Sequence, residues 1–235
     1  MISVKRHELK YYINNIEYHN IVDRLKNVLK YDKHSSYKKG YFIRSLYFDS
    51  YDDECLYQKL SGLYHRKKYR IRIYDIKDEI AKFEIKNKFN NQIFKETSFI
   101  KKTTVNDIID GNMEALLQYN DLTLNKIYST FKKKRFTPKV LIDYHREAFV
   151  FDHFNVRITI DKELRSNCSM LDIYGDRQKM LPVFFDDIMI LEIKFDGYLP
   201  DFIKNMIQIE NFQQCAISKY AMGRKYKKIN KWEDQ

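Results

Sequence analysis

Charged side chains recur at every second residue in two runs between Tyr64 and Lys88, separated by a predicted turn near Asp75 to Glu79. Because alternate residues of a strand point to the same face, this stretch predicts two neighbouring strands, each with one charged and one apolar face. The charged residues are Arg66, Lys68, Arg70 and Arg72 in the first strand, and Lys82, Glu84, Lys86 and Lys88 in the second. A solvated charged face is the ordinary interpretation of one such strand. A functional interpretation therefore depends on whether the pattern recurs.

The pattern does recur along the chain, and several of the charged faces mix both signs. The further members are Arg6, Glu8 and Lys10, then Arg146, then Arg157, Thr159 and Asp161, and finally Glu192, Lys194 and Asp196. Apolar residues lie opposite them, such as Ile158 and Ile160 or Leu191 and Ile193. Six predicted strands thus carry a charged face. Tyr41–Asp49 is apolar on both faces apart from Arg44 and Asp49, which predicts a buried strand.

The composition restricts the class of protein and the class of partner. The net charge of +11 in 235 residues favours a polyanionic partner, which leaves nucleic acid, a membrane surface or a phosphate-rich molecule open. No apolar run approaches the ~18 residues of a membrane span, so we expect no membrane-spanning segment in this chain. Three scattered cysteines without metal-ligand spacing suit a reducing, cytoplasmic location. With no internal linker or repeat, residues 1–235 are predicted to form a single domain.

Helical periodicity separates the strands at several places. Amphipathic helices are predicted over about 16–31, within 104–134 and within 200–225, the last of them from about Gln213 to Lys225, and a short helix is predicted over 52–60. If the charged strand faces lay outside, these helices would have no apolar surface to cover. We therefore predict an α+β fold: a closed eight-stranded antiparallel β-barrel, or tunnel, with a charged interior and with helices packed on its apolar exterior.

Burying so many charges requires water or a charged ligand inside the barrel. The predicted lining is Arg6, Glu8, Lys10, Lys68, Arg70, Arg72, Lys82, Glu84, Lys86, Arg146, Arg157, Asp161, Glu192 and Lys194. Positive charge exceeds negative in this set, yet several carboxylates remain. That combination favours a phosphate chain bound by Arg and Lys together with a divalent metal bound by carboxylates.

At these residues the chain resembles the polyphosphate polymerase (VTC) domain, a branch of the triphosphate tunnel metalloenzyme, or CYTH-like, superfamily. The resemblance covers nearly the whole chain. It rests on Arg6-His-Glu8-Leu-Lys10-Tyr, Ser45-Leu-Tyr-Phe-Asp49, Lys68-Tyr-Arg70-Ile-Arg72, Phe83-Glu84-Ile-Lys86, Tyr144-His-Arg146-Glu-Ala, Arg157-Ile-Thr159-Ile-Asp161, Leu191-Glu192-Ile-Lys194-Phe-Asp-Gly197 and Ser218-Lys219-Tyr220. Related triphosphatases and cyclases carry Glu where Arg6 stands, which favours the polymerase branch. The chain departs from the pattern after Lys95, where Glu96-Thr97 replaces an expected basic residue.

The resemblance implies an enzyme that transfers the terminal phosphoryl group of ATP to a growing polyphosphate chain, with Mn²⁺ or Mg²⁺ as cofactor. Its implied partners are ATP and inorganic polyphosphate. Nucleic acid is not expected as a partner, because a nucleic-acid binder should present its basic residues on an exposed face with stacking aromatics and not inside a barrel. The implied catalytic residues, which would bind phosphate, are Lys10, Arg70, Arg72, Lys86, Arg146, Arg157 and Lys219. Further substrate contacts are implied for Lys68, Tyr144, Lys194 and Ser218, and metal ligation for Glu192, Glu8 and Asp161.

Other interpretations of the same residues stay open at the level of sequence. The barrel could hydrolyse tripolyphosphate or nucleoside triphosphates, because water can replace the acceptor phosphate. It could also bind polyphosphate without turnover. Glu192 could be a structural ion-pair partner of Lys194 or a neighbouring Arg, and Glu84 could serve only to hold cationic side chains in place. Ser218 and Lys219 could be simple helix-capping residues.

Overall fold

The computed structural model describes residues 6–35, 40–90, 92–184 and 186–229. The alternation of Arg6, Glu8 and Lys10 predicts a first strand over Ser3–Tyr11, and Ser3 lies outside the described residues. The strands are β1 (Arg6–Ile13), β2 (Lys30–Tyr31), β3 (Tyr41–Asp49), β4 (His65–Ile73), β5 (Ile80–Phe89), β6 (Gln92–Lys101), β7 (Thr137–Phe151), β8 (Val156–Asn167), β9 (Leu181–Pro182) and β10 (Met189–Asp196). The helices are α1 (Asn15–Leu25), α2 (Glu54–Leu60), α3 (Lys102–Ile109), α4 (Leu122–Lys134), α5 (Asp201–Ile207) and α6 (Lys219–Ile229). Short 3₁₀ helices cover Met113–Tyr119, His153–Asn155, Arg177–Lys179 and Ile209–Asn211.

The strands form one sheet in the order β1-β10-β8-β7-β3-β4-β5-β6, with β2 paired to β7 and β9 paired to β8. The pairs β1–β10, β10–β8, β3–β4, β4–β5 and β5–β6 are antiparallel. The predicted α+β class and the large antiparallel sheet are therefore confirmed. Within the described residues β1 and β6 end the sheet and are not hydrogen-bonded to each other, so closure into a barrel stays a prediction.

The chain is divided into two compact units. The first unit comprises Met1–Phe42, Tyr144–Leu164 and Phe184–Ile217, and the second comprises Ile43–Asp143, Arg165–Val183 and Ser218–Gln235. The chain passes between the units within strands β3, β7 and β8, and not through a linker.

The core of the first unit lies between the apolar strand faces and two helices. Its strand members include Tyr11, Ile158, Ile160, Leu191 and Ile193, and its helix members include Ile21 and Leu25 of α1 and Ile203 and Ile207 of α5. These side chains alternate with the charged residues along the strands and recur three or four residues apart along the helices. The prediction that helices pack on the apolar strand faces is confirmed for this unit.

Helix α1 begins at Asn15 because its first free amide groups are satisfied locally. The Asn14 side chain accepts a hydrogen bond from the Glu17 amide at 2.9 Å, and the Glu17 carboxylate accepts one from the Asn14 amide at 2.7 Å. This reciprocal arrangement is a capping box. The helix ends at Leu25, earlier than the predicted 31, and the chain then enters the short strand β2.

The core of the second unit is built around Phe131 of α4. Its ring stacks on Phe136, with centroids 4.8 Å apart, and contacts Phe48 at 5.3 Å and Phe83 at 5.8 Å. Tyr69 lies against the same ring at 5.4 Å. Phe83 and Tyr69 belong to the apolar faces of β5 and β4, so in this unit too a helix covers the face opposite the charges.

The last predicted helix is displaced in the structure. It was predicted from about Gln213 to Lys225, whereas α6 begins at Lys219 and residues 212–218 are not helical. Its predecessor α5 begins directly after Pro200, as the sequence suggested. The displacement changes the setting of two predicted site residues, because Ser218 directly precedes α6 and Lys219 is its first residue.

Truncating Phe131 to Ala should lower the free energy of unfolding by about 3–5 kcal/mol, because a ring packed on four aromatic neighbours is replaced by a cavity. Phe94→Ala, on β6 where the side chain is 55% exposed, is the matched control and should change stability by roughly 0.5 kcal/mol or less. Urea unfolding of both variants measures the difference. Equal losses would show that α4 does not organise this core.

Candidate functional site

Polar and charged side chains gather into one cluster in each unit. The first-unit cluster consists of Glu8, Lys10, Asp32, Tyr41, Tyr144, Arg146, Arg157, Thr159, Asp161, Glu192 and Lys194. The second-unit cluster consists of Ser45, Tyr47, Lys68, Arg70, Arg72, Glu84, Lys86, Lys95, Ser218 and Lys219. In both clusters, the residues that belong to strands lie on the charged faces of those strands. The other faces carry the apolar side chains that pack under the helices.

Strand register places Glu192 at the centre of the first-unit cluster. In the β1–β10 pair, Lys10 lies directly opposite Glu192 and Glu8 opposite Lys194. In the β10–β8 pair, Glu192 lies opposite Thr159. Directly opposite residues of an antiparallel pair share a face, so these five side chains are neighbours on the charged face.

Two ammonium groups surround the Glu192 carboxylate, which is only 5% exposed. Lys10 Nζ lies 3.5 Å from Glu192 Oε2 and 2.8 Å from Glu8 Oε1, and Lys194 Nζ contacts Glu192 Oε1. Burial would lower the pKa of Lys10, but the carboxylates of Glu192 and Glu8 outweigh it and raise the pKa. Burial prevails at Lys194, where it lowers the pKa despite the attraction of Glu192.

Arg146 forms a bidentate ion pair with Asp161. Its Nε and Nη2 donate to the two oxygens of Asp161 at 2.6 and 2.8 Å. Burial would lower the pKa of Arg146, but Asp161 and Tyr144 hold it above the ordinary value. The backbone of Gly40 lies close to the backbone carbonyl of Arg146. The φ angle of Gly40 is +75°, and a Cβ atom at this residue would clash with the Arg146 carbonyl oxygen. Only glycine fits that approach without strain.

Arg157 is held by Asp32 and Tyr41, two residues that the sequence did not single out. Its Nε donates to Asp32 Oδ2 and its Nη2 to the Tyr41 hydroxyl, both at 3.1 Å. Burial would raise the pKa of Asp32, but the His34 amide and the Arg157 charge lower it. The guanidinium is thereby oriented on the charged face while still more than a quarter exposed.

Glu84 is the centre of the second-unit cluster. Its carboxylate, 1% exposed, accepts a hydrogen bond from Arg70 Nε at 2.6 Å, contacts Lys95 Nζ and lies 3.9 Å from Arg72 Nη1. Burial would raise the pKa of Glu84, but these three cations lower it from 4.5 to about 2. The carboxylate on β5 thus holds together cationic side chains from the two flanking strands, β4 and β6.

Tyr47 brings a phenol into the second-unit cluster. Its hydroxyl accepts a hydrogen bond from Arg70 Nη1 at 3.1 Å, and its ring stacks on Tyr220 with centroids 5.4 Å apart. Burial would raise the pKa of the Tyr47 phenol, but the charges of Arg70, Arg72 and Lys219 outweigh it and lower the pKa. Several positive charges therefore act on one buried oxygen.

Asp49 connects strand β3 to two helices. The carboxylate accepts hydrogen bonds from the Ser50, Cys55 and Leu56 amides, the last two at the start of α2, and from the Tyr220 hydroxyl of α6. Two residues before Tyr220, Ser218 accepts a hydrogen bond from Lys68 Nζ at 2.9 Å. The short motifs that contain Asp49 and Tyr220 therefore meet in space and fix the beginning of α6 against the sheet.

The predicted site residues all lie in the described part of the chain, and the structure divides them between the two clusters. The first-unit cluster has Glu8, Lys10, Tyr144, Arg146, Arg157, Asp161, Glu192 and Lys194, and the second-unit cluster has Lys68, Arg70, Arg72, Lys86, Ser218 and Lys219. Their catalytic, binding and metal roles stay predictions. Asp161 accepts hydrogen bonds from Arg146 with both carboxylate oxygens and so orients that guanidinium.

Sequence reasoning did not assign Asp32, Tyr41, Ser45, Tyr47 or Lys95 to the site. Ser45 and Tyr47 share one face of β3, but a strand predicted as buried on both faces gives no reason to select either side. Pairing with β4 decides it, since Ser45 lies opposite Arg72 and Tyr47 opposite Arg70. Of these five residues, Lys95 could most readily have been found from the sequence, because it lies opposite Lys86 in the β5–β6 hairpin.

The carboxylates of the first-unit cluster could supply some of the oxygen ligands of a hard divalent cation. Among the described residues, no group of three or more His, Cys, Asp or Glu side chains is arranged to hold a metal ion. Mg²⁺ at phosphate-transfer sites commonly uses one or two carboxylates and completes its shell with phosphate oxygens and water. Glu192, with Glu8 on the neighbouring strand, meets that smaller requirement.

The model of the VTC domain family matches residues 5–227. The chain belongs to the VTC domain family. Two of the solved structures that the chain matches are each 12% identical to it, and the first of them shows a similar fold. HpAC1 from Hippeastrum, whose dominant activity is that of a triphosphatase, has a TM-score of 0.53 over 93% of this chain and 95% of its own. A candidate adenylate cyclase from Bacillus halodurans has a TM-score of 0.49 over 88% and 89%. No curated protein sequence matches this one.

Within the residues that the structure describes, none of the helices of this VTC domain has both the length and the apolar character needed to cross a membrane.

The low pKa of Glu84 makes it a pH-dependent stabiliser of the second unit. Because the folded pKa of about 2 lies below the ordinary 4.5, its contribution is complete above about pH 4.5 and is lost as the pH falls toward 2. Glu84→Gln should therefore lower the free energy of unfolding near neutral pH by about 3 kcal/mol. That deficit should shrink steadily between about pH 4.5 and pH 2, as urea unfolding at a series of pH values would measure.

Glu96→Gln is the matched control for this prediction, because Glu96 is a more exposed carboxylate that pairs with Lys126 on the protein surface. It should cost roughly 1 kcal/mol or less at any pH. A Glu84→Gln deficit that does not change with pH would contradict the assignment of Glu84 as an ionised, cation-bound group.

Proposed function

We propose that this protein is a metal-dependent phosphotransferase that moves the terminal phosphoryl group of ATP onto a growing polyphosphate chain. The observation that carries the proposal is the presence of Arg and Lys side chains on buried strand faces, around the nearly inaccessible carboxylates Glu84 and Glu192. Membership of the VTC domain family and the fold shared with a triphosphatase support an enzyme of triphosphate or polyphosphate chemistry.

Phosphoryl transfer needs positioned charge more than it needs a protein nucleophile. Guanidinium groups suit this task because their planar donors match two phosphate oxygens at once. Arg146 and Arg157 in one unit, and Arg70 and Arg72 in the other, are each oriented by a carboxylate or hydroxyl partner. Lys10, Lys86 and Lys219 would add point charges, and Tyr144, Ser218, Lys68 and Lys194 would complete the substrate contacts.

The proposed cofactor is Mn²⁺ or Mg²⁺, with Glu192 as the principal ligand and Glu8 beside it. When bound, the ion neutralises the charge that develops on the transferred phosphoryl group. The protein's own contribution is to hold Glu192 on a rigid strand between Lys10 and Lys194, so that ammonium groups and metal ligand face the same phosphates. Asp161 would act through Arg146, or as a metal ligand if Arg146 is drawn to phosphate.

Two other functions fit parts of the same evidence. Hydrolysis of tripolyphosphate or nucleoside triphosphates needs the same phosphate and metal ligands, and the dominant triphosphatase activity of the Hippeastrum protein favours it as the second candidate. A polyphosphate-binding module without turnover is the third.

Cys55, Cys168 and Cys215 are all free thiols, which supports the proposed cytoplasmic location.

Purified protein incubated with ATP and Mn²⁺, followed by gel electrophoresis of the products, separates the three functions. Polymerisation gives a ladder of polyphosphate chains. Release of orthophosphate without chains would replace the polymerase with a triphosphatase. Tight, salt-sensitive polyphosphate binding without turnover in either metal would leave only the binding module.

Glu192→Gln should reduce metal-dependent turnover at least about a hundredfold, because the shape of the side chain is kept while a charged metal ligand is removed. Polyphosphate affinity without metal should hold or rise, since an anion near the phosphates is lost. Glu210→Gln, an exposed carboxylate in the same unit, should change neither quantity. Full metal-dependent turnover in Glu192→Gln would reduce Glu192 to an ion-pair partner of Lys10 and Lys194.

A further inference from the structure

Thr159 carries a buried hydroxyl that the fold does not use. The residue is 1% exposed, and within the described part of the chain no hydrogen-bond partner reaches its Oγ1. An unsatisfied buried hydroxyl costs roughly 1–3 kcal/mol, a cost that valine, with the same branched shape, would avoid. Stability therefore does not explain a hydroxyl at this position.

The hydroxyl belongs to the charged face, directly across from Glu192. Thr159 of β8 and Glu192 of β10 are paired residues in the antiparallel register, which brings their Cβ atoms to roughly 5 Å. The flanking residues on β8, Arg157 and Asp161, have their guanidinium and carboxylate committed to Asp32 and Arg146. Glu192 is thus the candidate metal ligand that lies nearest to Thr159 in the strand register.

The Thr159 hydroxyl offers a neutral oxygen donor in addition to the carboxylates that could bind a metal ion. Carboxylates alone do not form a complete metal-binding group among the described residues. Hard divalent cations take six or more oxygen donors, and hydroxyl oxygens serve as ligands beside carboxylates and phosphates, as the Ser/Thr of phosphate-binding loops does for Mg²⁺.

We propose that the Thr159 hydroxyl is a direct oxygen ligand of the divalent cation that Glu192 holds. The inference rests on the proposed metal-dependent function and adds a ligand to the same site.

The ion pairs of Glu192 determine when this ligand is used. Lys10 and Lys194 engage both Glu192 oxygens, so a cation reaches Glu192 and Thr159 only when these ammonium groups turn toward another anion. The phosphate chain supplies that anion. Thr159 therefore contributes to the bound metal–triphosphate complex, and adds little to the affinity for the metal alone.

The first experiment compares Thr159→Val and Thr159→Ser with the wild-type protein. The probe is the preformed Mn²⁺ complex of a non-hydrolysable ATP analogue, titrated by calorimetry and by the Mn²⁺ electron paramagnetic resonance signal. Thr159→Val should weaken binding of the complex about tenfold, whereas Thr159→Ser should stay within about twofold of wild type. Thr159→Val should also melt at the same or a higher temperature, since it removes an unsatisfied hydroxyl.

The second experiment tests direct coordination by changing the donor atom. In Thr159→Cys, a soft sulfur replaces the oxygen, so the preference for the Cd²⁺ complex over the Mn²⁺ complex should rise at least about tenfold above wild type. A hydroxyl with only a structural role would not produce that change. Thr103→Val, an exposed threonine on α3, is the control and should leave both affinities unchanged.

The results separate this inference from the proposed function. Wild-type binding of the Mn²⁺ complex without polyphosphate synthesis would defeat the polymerase and leave the ligand assignment standing. Unchanged binding by Thr159→Val together with an unchanged Cd²⁺ preference in Thr159→Cys would overturn the assignment. Absence of metal-dependent binding in the wild-type protein would overturn both.

Discussion

Ionised side chains on a strand face that water scarcely reaches must be matched by opposite charge, because moving an unpaired ion out of water costs several kcal/mol. Glu84, Asp161 and Glu192 are almost completely buried, and each is in contact with Arg or Lys. The cations in turn are oriented by these carboxylates and by Ser45, Tyr41 and Tyr47. The two clusters are therefore rigid arrays of donors before any ligand arrives, which is the condition for electrostatic catalysis.

The same matching explains why the ligand-free protein is stable with so many like charges. Under the proposed function, phosphate groups would compete with these carboxylates for the guanidinium and ammonium groups. A phosphate chain would offer these groups a stronger, multiply charged partner, so its binding would exchange one set of ion pairs for another and leave few charges unpaired. In the proposed function, such an exchange would release Glu192 from Lys10 and Lys194 and make the carboxylate available to the metal ion.

Some residues of the recurring motifs stabilise the site without facing a ligand. Asp49 and Tyr220 bind each other and tie β3 to the starts of α2 and α6, so Ser218 and Lys219 are presented from a fixed helix end. Glu147, on the opposite face of β7 from Arg146, accepts hydrogen bonds from Tyr18 and Lys162 and so fixes α1 to the strands of its unit. Mutations at these positions would disturb the site through its supports.

Much of the fold could be predicted from the sequence because strand alternation is a local property. The spacing of Lys68, Arg70 and Arg72 against Tyr69 and Ile71 specifies a strand with two unlike faces wherever that strand is placed. Helices over about 16–31 and within 104–134 were recognisable from local periodicity in the same way, although the first ends at Leu25. Their apolar faces were assigned to the strands because both apolar surfaces have to be buried. The start of α6 was not recognisable, since the extended segment before it is held by tertiary contacts such as the Cys215 amide bound to the Lys10 carbonyl.

Which strands become neighbours, and in which register, was decided only by the tertiary structure. The sequence predicted that Glu192 and Thr159 share a type of face, but not that they lie opposite each other, because register depends on the pairing of strands about thirty residues apart in the chain. It likewise did not predict that Tyr47 meets Arg70, or that Asp32 and Tyr41 hold Arg157. The sequence by itself determined which residue types face the charged side; long-range pairing determined which of them touch, since hydrogen-bonded register is a property of two strands and not of one.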